Sequence, residues 1–142
     1  MGDPYVIGLA VAGWLATTWL AYRWGLRSQS LQREHAAKDA IAARRRDFMT
    51  FMRSWRKDAE GIVSRYDAID HFPRWYIENI PGFCGFAETI REDFIGERRK
   101  KFEGFTNTIS DSNIRNAGNP EGYKKWLKIV DEMIVFVDVD KN

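Results

Sequence analysis

The 142-residue sequence predicts an all-α protein built as a single N-terminal transmembrane helix, a helical stalk and a small three-helix bundle. Three observations predict it. An uncharged run of 18 residues extends from Tyr5 to Tyr22. Beyond residue 41, apolar side chains recur at intervals of three, four and seven, which places them on one face of a helix. The β-branched "MIVFVDVD" near the C-terminus reads as strand or helix, and with no second strong strand to pair with it, helix prevails. The predicted divisions are a short extracytoplasmic N-terminus at 1–4, an anchor at 5–24, a basic juxtamembrane stalk at 25–40 and a helical bundle at 41–142.

The uncharged run covers roughly 27 Å as a helix, close to a hydrocarbon core of about 30 Å. Asp3 precedes it and Arg23 and Arg27 follow, the reverse of a cleaved secretory signal. Val6 stands where myristoylation wants Ser or Thr. Tyr5 at one end and Trp19, Tyr22 and Trp24 at the other form the aromatic belts expected at the two membrane interfaces, with Arg23 and Arg27 reaching the headgroups. Gly8, Ala12 and Ala16 recur every fourth residue, with Gly13 and Thr17 on an adjacent row. Small residues so spaced let a second helix, from a copy or from another subunit, approach closely in lipid.

Charge sets the expected orientation. Residues 23–57 carry ten Lys or Arg and three acids, net +7, whereas residues 58–142 carry a net −4. Positive charge beside a span is retained in the cytoplasm. The reading is therefore a single-pass protein of the inner or plasma membrane, N-terminus outside and C-terminal domain cytoplasmic. The lone cysteine, Cys84, excludes an intramolecular disulfide and a Cys-rich zinc site, in keeping with a reducing compartment.

In the bundle, the first stripe comprises Ile41, Phe48, Met52, Trp55, Ala59, Ile62, Tyr66 and Ile69, widened by Phe51 and Val63. Its helix is expected to stop near His71, ahead of Pro73. "HFPRWYIENIPG", with two prolines, reads as a connection. The second helix carries Phe83, Ala87, Ile90, Phe94, Phe102, Phe105 and Ile109 on one face. Asn119-Pro120-Glu121 is a strong start for the third, with Asn as cap, Pro at the first position and an acid in the first turn. Its stripe is Tyr123, Trp126, Leu127, Val130, Met133, Ile134 and Val137.

Catalytic and metal-binding patterns are absent from the sequence. His71 lies one turn after Asp67 and beside Asp70, the spacing of an ion pair at a helix end. Glu88, Glu92, Asp93 and Glu97 lack the Glu-x-x-His pairs of a di-iron bundle. Cys84 has no neighbouring base. No phosphate loop, nucleophile elbow or zinc-protease helix occurs. No cofactor is expected, and the chain reads as non-enzymatic.

Two basic clusters remain. Arg44, Arg45, Arg46, Arg53, Arg56 and Lys57 form a candidate surface for an acidic cytoplasmic protein; Arg98-Arg99-Lys100-Lys101 is a second run. Nucleic acid is disfavoured by the acidic distal chain. The functional expectation is an accessory or interaction protein, its anchor pairing with another span and its bundle docking a partner. The alternative is an envelope-spanning structural protein with the architecture of spanins or division proteins, the helical domain lying outside the cytoplasm. The arginines after the span oppose it.

Overall fold

The computed structural model describes residues 4–113 and 119–139, with side chains described from residue 13 onward. Among the described residues the protein is all-helical, with no strand. Four helices follow one another: α1 (Pro4–Val63), α2 (Ala68–Arg91), α3 (Gly96–Ile109) and α4 (Pro120–Asp138). The chain divides into two compact units, Met1–Ala40 and Ile41–Asn142.

In the first unit, Pro4 stands at the first position of α1, where its missing N–H costs no hydrogen bond. No further proline interrupts the helix. Every described side chain from Gly13 to Ala40 is exposed. Among the described residues no helix is long and apolar enough to cross a membrane, so the expected transmembrane anchor receives no support from the fold. Of the uncharged run, the described side chains comprise residues 13–22 alone, and Arg23 and Arg27 close it. The side chains of residues 5–12, and with them Tyr5, Gly8 and Ala12, lie outside the described residues.

The second unit is a packed helical bundle whose core, among the described residues, is built of aliphatic and aromatic residues. It holds four helical segments, the end of α1 with α2, α3 and α4, where the sequence predicted three. The first stripe is buried at Phe48, Met52, Trp55, Ala59 and Val63. It then fails: Tyr66 is 100 % exposed and Ile69 about half exposed. The chain turns at 64–67, earlier than the expected stop near His71, and the reversal carries Phe72 and Tyr76 against Trp126 and Trp75 against Trp55. The turn is held by Asp67, which accepts from Arg65 Nε (2.9 Å) and lies 2.9 Å from His71 Nε2.

α2 continues through both Pro73 and Pro81, so "HFPRWYIENIPG" is helix rather than a connection. Each interior proline costs about 3 kcal/mol, whereas fully burying an aromatic side chain returns roughly 1.5–3 kcal/mol. Phe72, Tyr76 and Phe83, all on the core face of α2, are buried. Together they offset the two prolines. The predicted second helix is in fact two, broken at 92–95, with Gly96 at φ 58°. That left-handed backbone favours glycine and reorients the chain between Phe94 and Phe102, whose rings stack at 4.7 Å.

Two aromatic clusters fill the core. Around Trp126, the rings of Trp55, Phe72, Trp75 and Tyr76 lie 5.2 to 6.2 Å away, all edge-on. Phe83 stacks on the far side of this group, 5.0 Å from Trp55. The second cluster joins Phe48, Phe94, Phe102, Phe105 and Phe136. Between them, the carbonyl of Ile109 at the end of α3 accepts from Tyr76 Oη (2.9 Å) and Trp126 Nε1 (3.0 Å). A helix C-terminus leaves carbonyls without intrahelical partners, and here two buried side chains satisfy one of them, tying α2, α3 and α4 at a single atom. α4 opens as the sequence predicts, with Asn119 accepting from the Glu121 N–H at 2.9 Å. "MIVFVD" is its last part, settling that stretch as helix.

Candidate functional site

Three sets of residues compete for a functional role. The first is the exposed helix of residues 13–38. Large apolar groups protrude from it on all sides: Trp14, Leu15, Trp19, Leu20, Tyr22, Trp24, Leu26 and Leu31 are each about half exposed or more, Trp24 reaching 77 %. Arg23 lies over the Trp19 ring at 5.1 Å, a cation–π geometry that keeps the guanidinium beside the indole. The hydroxyl of Thr17 donates back to the carbonyls of Gly13 (3.0 Å) and Trp14 (2.9 Å), and Thr18 to Trp14 (2.8 Å). Both threonines thereby hide their polar atoms in the helix itself. A Cβ added at Gly13 meets nothing, so the small face of Gly13, Ala16 and Thr17 is open. Further along, Lys38 pairs with Glu34 at 2.8 Å and holds its carboxyl below the usual range.

The second set is the first basic cluster. Arg44 reaches Asp93 at 2.6 Å, and Arg45 donates to the Asp93 carbonyl at 3.0 Å while lying 4.8 Å over the Phe94 ring. Both grip the turn between α2 and α3. Arg56 takes Asp131 with two donors, at 2.8 and 3.2 Å, and also meets Glu60. Arg53 lies 3.7 Å from Asp138. Four of the six cations therefore reach acidic or aromatic groups of this same domain, and bind α1 to the α2–α3 turn and to α4. Arg46 and Lys57 are exposed and have no ion pair among the described residues.

The third set is the titratable groups of α2. Partial burial works against ionisation of Asp67, but Arg65 and then His71 outweigh it and hold the carboxyl below its ordinary range. Cys84 is exposed, though the protein around its sulfur pushes the thiol up, away from the thiolate. It stands 13 residues from His71 on one helix, roughly 20 Å along the axis. The structure does not bring Asp67, Asp70, His71 and Cys84 to one cleft. Glu88, Glu92 and Glu97 face Arg91, Arg99 and Lys100 in surface pairs. Among the described residues no group of three His, Cys, Asp or Glu side chains is placed to hold a metal ion.

A further feature was legible in the sequence but not selected by its periodicity. Val135 on α4 and Val139 at its C-terminal cap lie away from the buried stripe and are 61 % and 67 % exposed. Two β-branched residues one turn apart and out of register with the core were the signal. Comparison of the chain with protein-family models, with characterised proteins and with solved structures finds no match.

Proposed function

We propose that this protein is a single-pass, membrane-anchored interaction or accessory-subunit protein, N-terminus outside, with its helical domain docking a partner in the cytoplasm. The observation that carries the reading is the first unit's helix, where bulky apolar side chains surround the axis and none is covered by protein. Large exposed apolar surfaces mark contacts with a membrane or another protein. Lipid accounts for exposure on every side of a helix, which a single protein partner does not. The uncharged run upstream, the tryptophans and Tyr22 near its end, and the arginines that follow are the arrangement of an interfacial boundary. The open face of Gly13, Ala16 and Thr17, continuing the spacing of Gly8 and Ala12, supplies the surface for a second helix.

The test is membrane extraction of the full chain. It should stay in the pellet after an alkaline carbonate wash, and Leu15→Arg with Leu20→Arg should release it; release of the unaltered chain overturns the anchor. Asn142→Cys with Cys84→Ser then reports the side. Labelling by an impermeant thiol reagent in intact cells would place the domain outside the cytoplasm, as in an envelope-spanning protein, and protection would keep it inside.

A further inference from the structure

The second basic run of the sequence is divided by the fold. Arg99 pairs with Glu92 (2.9 Å) and Glu103 (3.2 Å), and Lys100 with Glu97 (2.8 Å). Arg98 and Lys101 instead turn toward α4 and lie over the Phe136 ring at 5.5 and 5.4 Å. Phe136, half-buried against Phe94 and Phe105, forms the floor of an open groove of about 610 Å³ between α3 and α4. Val135 and Val139 form one wall, and Lys128 stands one turn nearer the start of α4 than Glu132. Lys101 and Lys128 have no carboxylate partner among the described residues, although Lys124, one turn away, is paired with Glu121 at 3.4 Å. The groove contains two acids. Asp131 is already held by Arg56, which leaves Glu132 as the single unclaimed negative charge.

We propose that this groove is the docking site for an amphipathic helix of a partner protein, with apolar residues one turn apart seated on Phe136, Val135 and Val139, and carboxylates flanking them toward Lys101 and Lys128. The proposal rests on the docking reading above and names the chemistry of the partner. The apolar spacing follows from the wall: Val135 and Val139 are separated by about 6 Å along α4, the repeat that an i, i+4 pair on an opposing helix presents. Charge complementarity sets the flanks, since two cations without carboxylate partners next to an apolar floor attract an anionic amphiphile. Glu132 decides which kind. A uniformly anionic lipid surface would bring phosphates against it, whereas a peptide can set a base there while keeping acids opposite the lysines. The apolar face also explains residues that otherwise cost solubility. Valine is a weak helix former, and on an exposed face of α4 it contributes nothing to the core.

The test is selection of a displayed library of helical 16-residue peptides, with fixed Leu at i and i+4 and random flanks, on the full chain in mild detergent. Asp and Glu should be enriched at the flanks. Lys101→Glu with Lys128→Glu should weaken the selected peptides roughly tenfold or more, and exchange of the peptide acids for Lys should restore binding to that variant. Both lysines are exposed, so an unchanged melting temperature shows that the variant folds. Val135→Glu should abolish binding on its own. Peptides with no acidic bias, or insensitive to both the charge reversal and Val135→Glu, overturn the groove while leaving the anchor and another docking face standing. Binding of phosphatidylserine vesicles that the double variant loses, with no peptide selected, overturns it in favour of lipid.

Discussion

Residues 13–40 and residues 41–139 use the same kinds of residue for opposite ends. Both are helical, and both are rich in tryptophan and arginine. In the first, Trp14, Trp19 and Trp24 stand in the open and Arg23 lies over the face of one of them. In the second, Trp55 and Trp126 are buried, and Arg44, Arg45 and Arg56 reach across to Asp93 and Phe94 in the α2–α3 turn and to Asp131 on α4. The difference lies in partners separated by many residues in the chain. A tryptophan whose neighbours come from α2 and α4 becomes core, while one whose neighbours are only its own helical turns remains surface.

Trp126→Ala should separate the two regions most sharply. It removes an indole packed edge-on by four other aromatic rings together with the donor to Ile109, and should cost about 3–5 kcal/mol of domain stability in urea unfolding. Gly96→Ala comes next. Space is not the obstacle, since an added Cβ meets nothing, but φ at 58° is. A loss of roughly 1–2 kcal/mol is expected, and no loss would mean that the α2–α3 turn adopts another backbone. Tyr76→Phe deletes one of the two donors to Ile109 and should cost about 1 kcal/mol, because Trp126 still satisfies that carbonyl.

Tyr123 moves in the other direction. Its hydroxyl is buried without a partner and burial raises its pKa above the ordinary 10.0. The unfolded chain then ionises first, so this residue's stabilising contribution is intact below about pH 10 and declines as pH rises through the window up to the raised value. Tyr123→Phe should leave neutral stability unchanged or slightly higher and flatten the alkaline decline, measured as the difference between the two urea midpoints across pH. The smallest effect belongs to the first region. Leu20→Ser with Trp24→Ser should leave the domain's urea midpoint within about 0.5 kcal/mol, and a larger change would show that the exposed helix supports the bundle.

Much of the candidate surface was legible and some was not. The open small-residue face and the row of aromatic side chains in residues 13–24 could be read because they depend on one helix alone. The basic cluster was legible as charge and not as use, since spacing along α1 cannot show that Asp93 and Asp131 arrive opposite Arg44 and Arg56. The groove at Val135 and Val139 required α3 to be placed beside α4.

By itself the sequence determined the helical class, the buried face of α4, most of the buried face of α1 from Phe48 to Val63, and the start of α4 at Asn119-Pro120, because periodicity and capping act over one or two turns. Tertiary structure alone decided where α1 ends, that α2 runs through Pro73 and Pro81, and that one helix becomes two at Gly96. Local stop signals amount to a few kcal/mol at most. Burying Phe72, Tyr76, Phe83 and Trp126 together outweighs them, so the helix ends fall where those rings can meet.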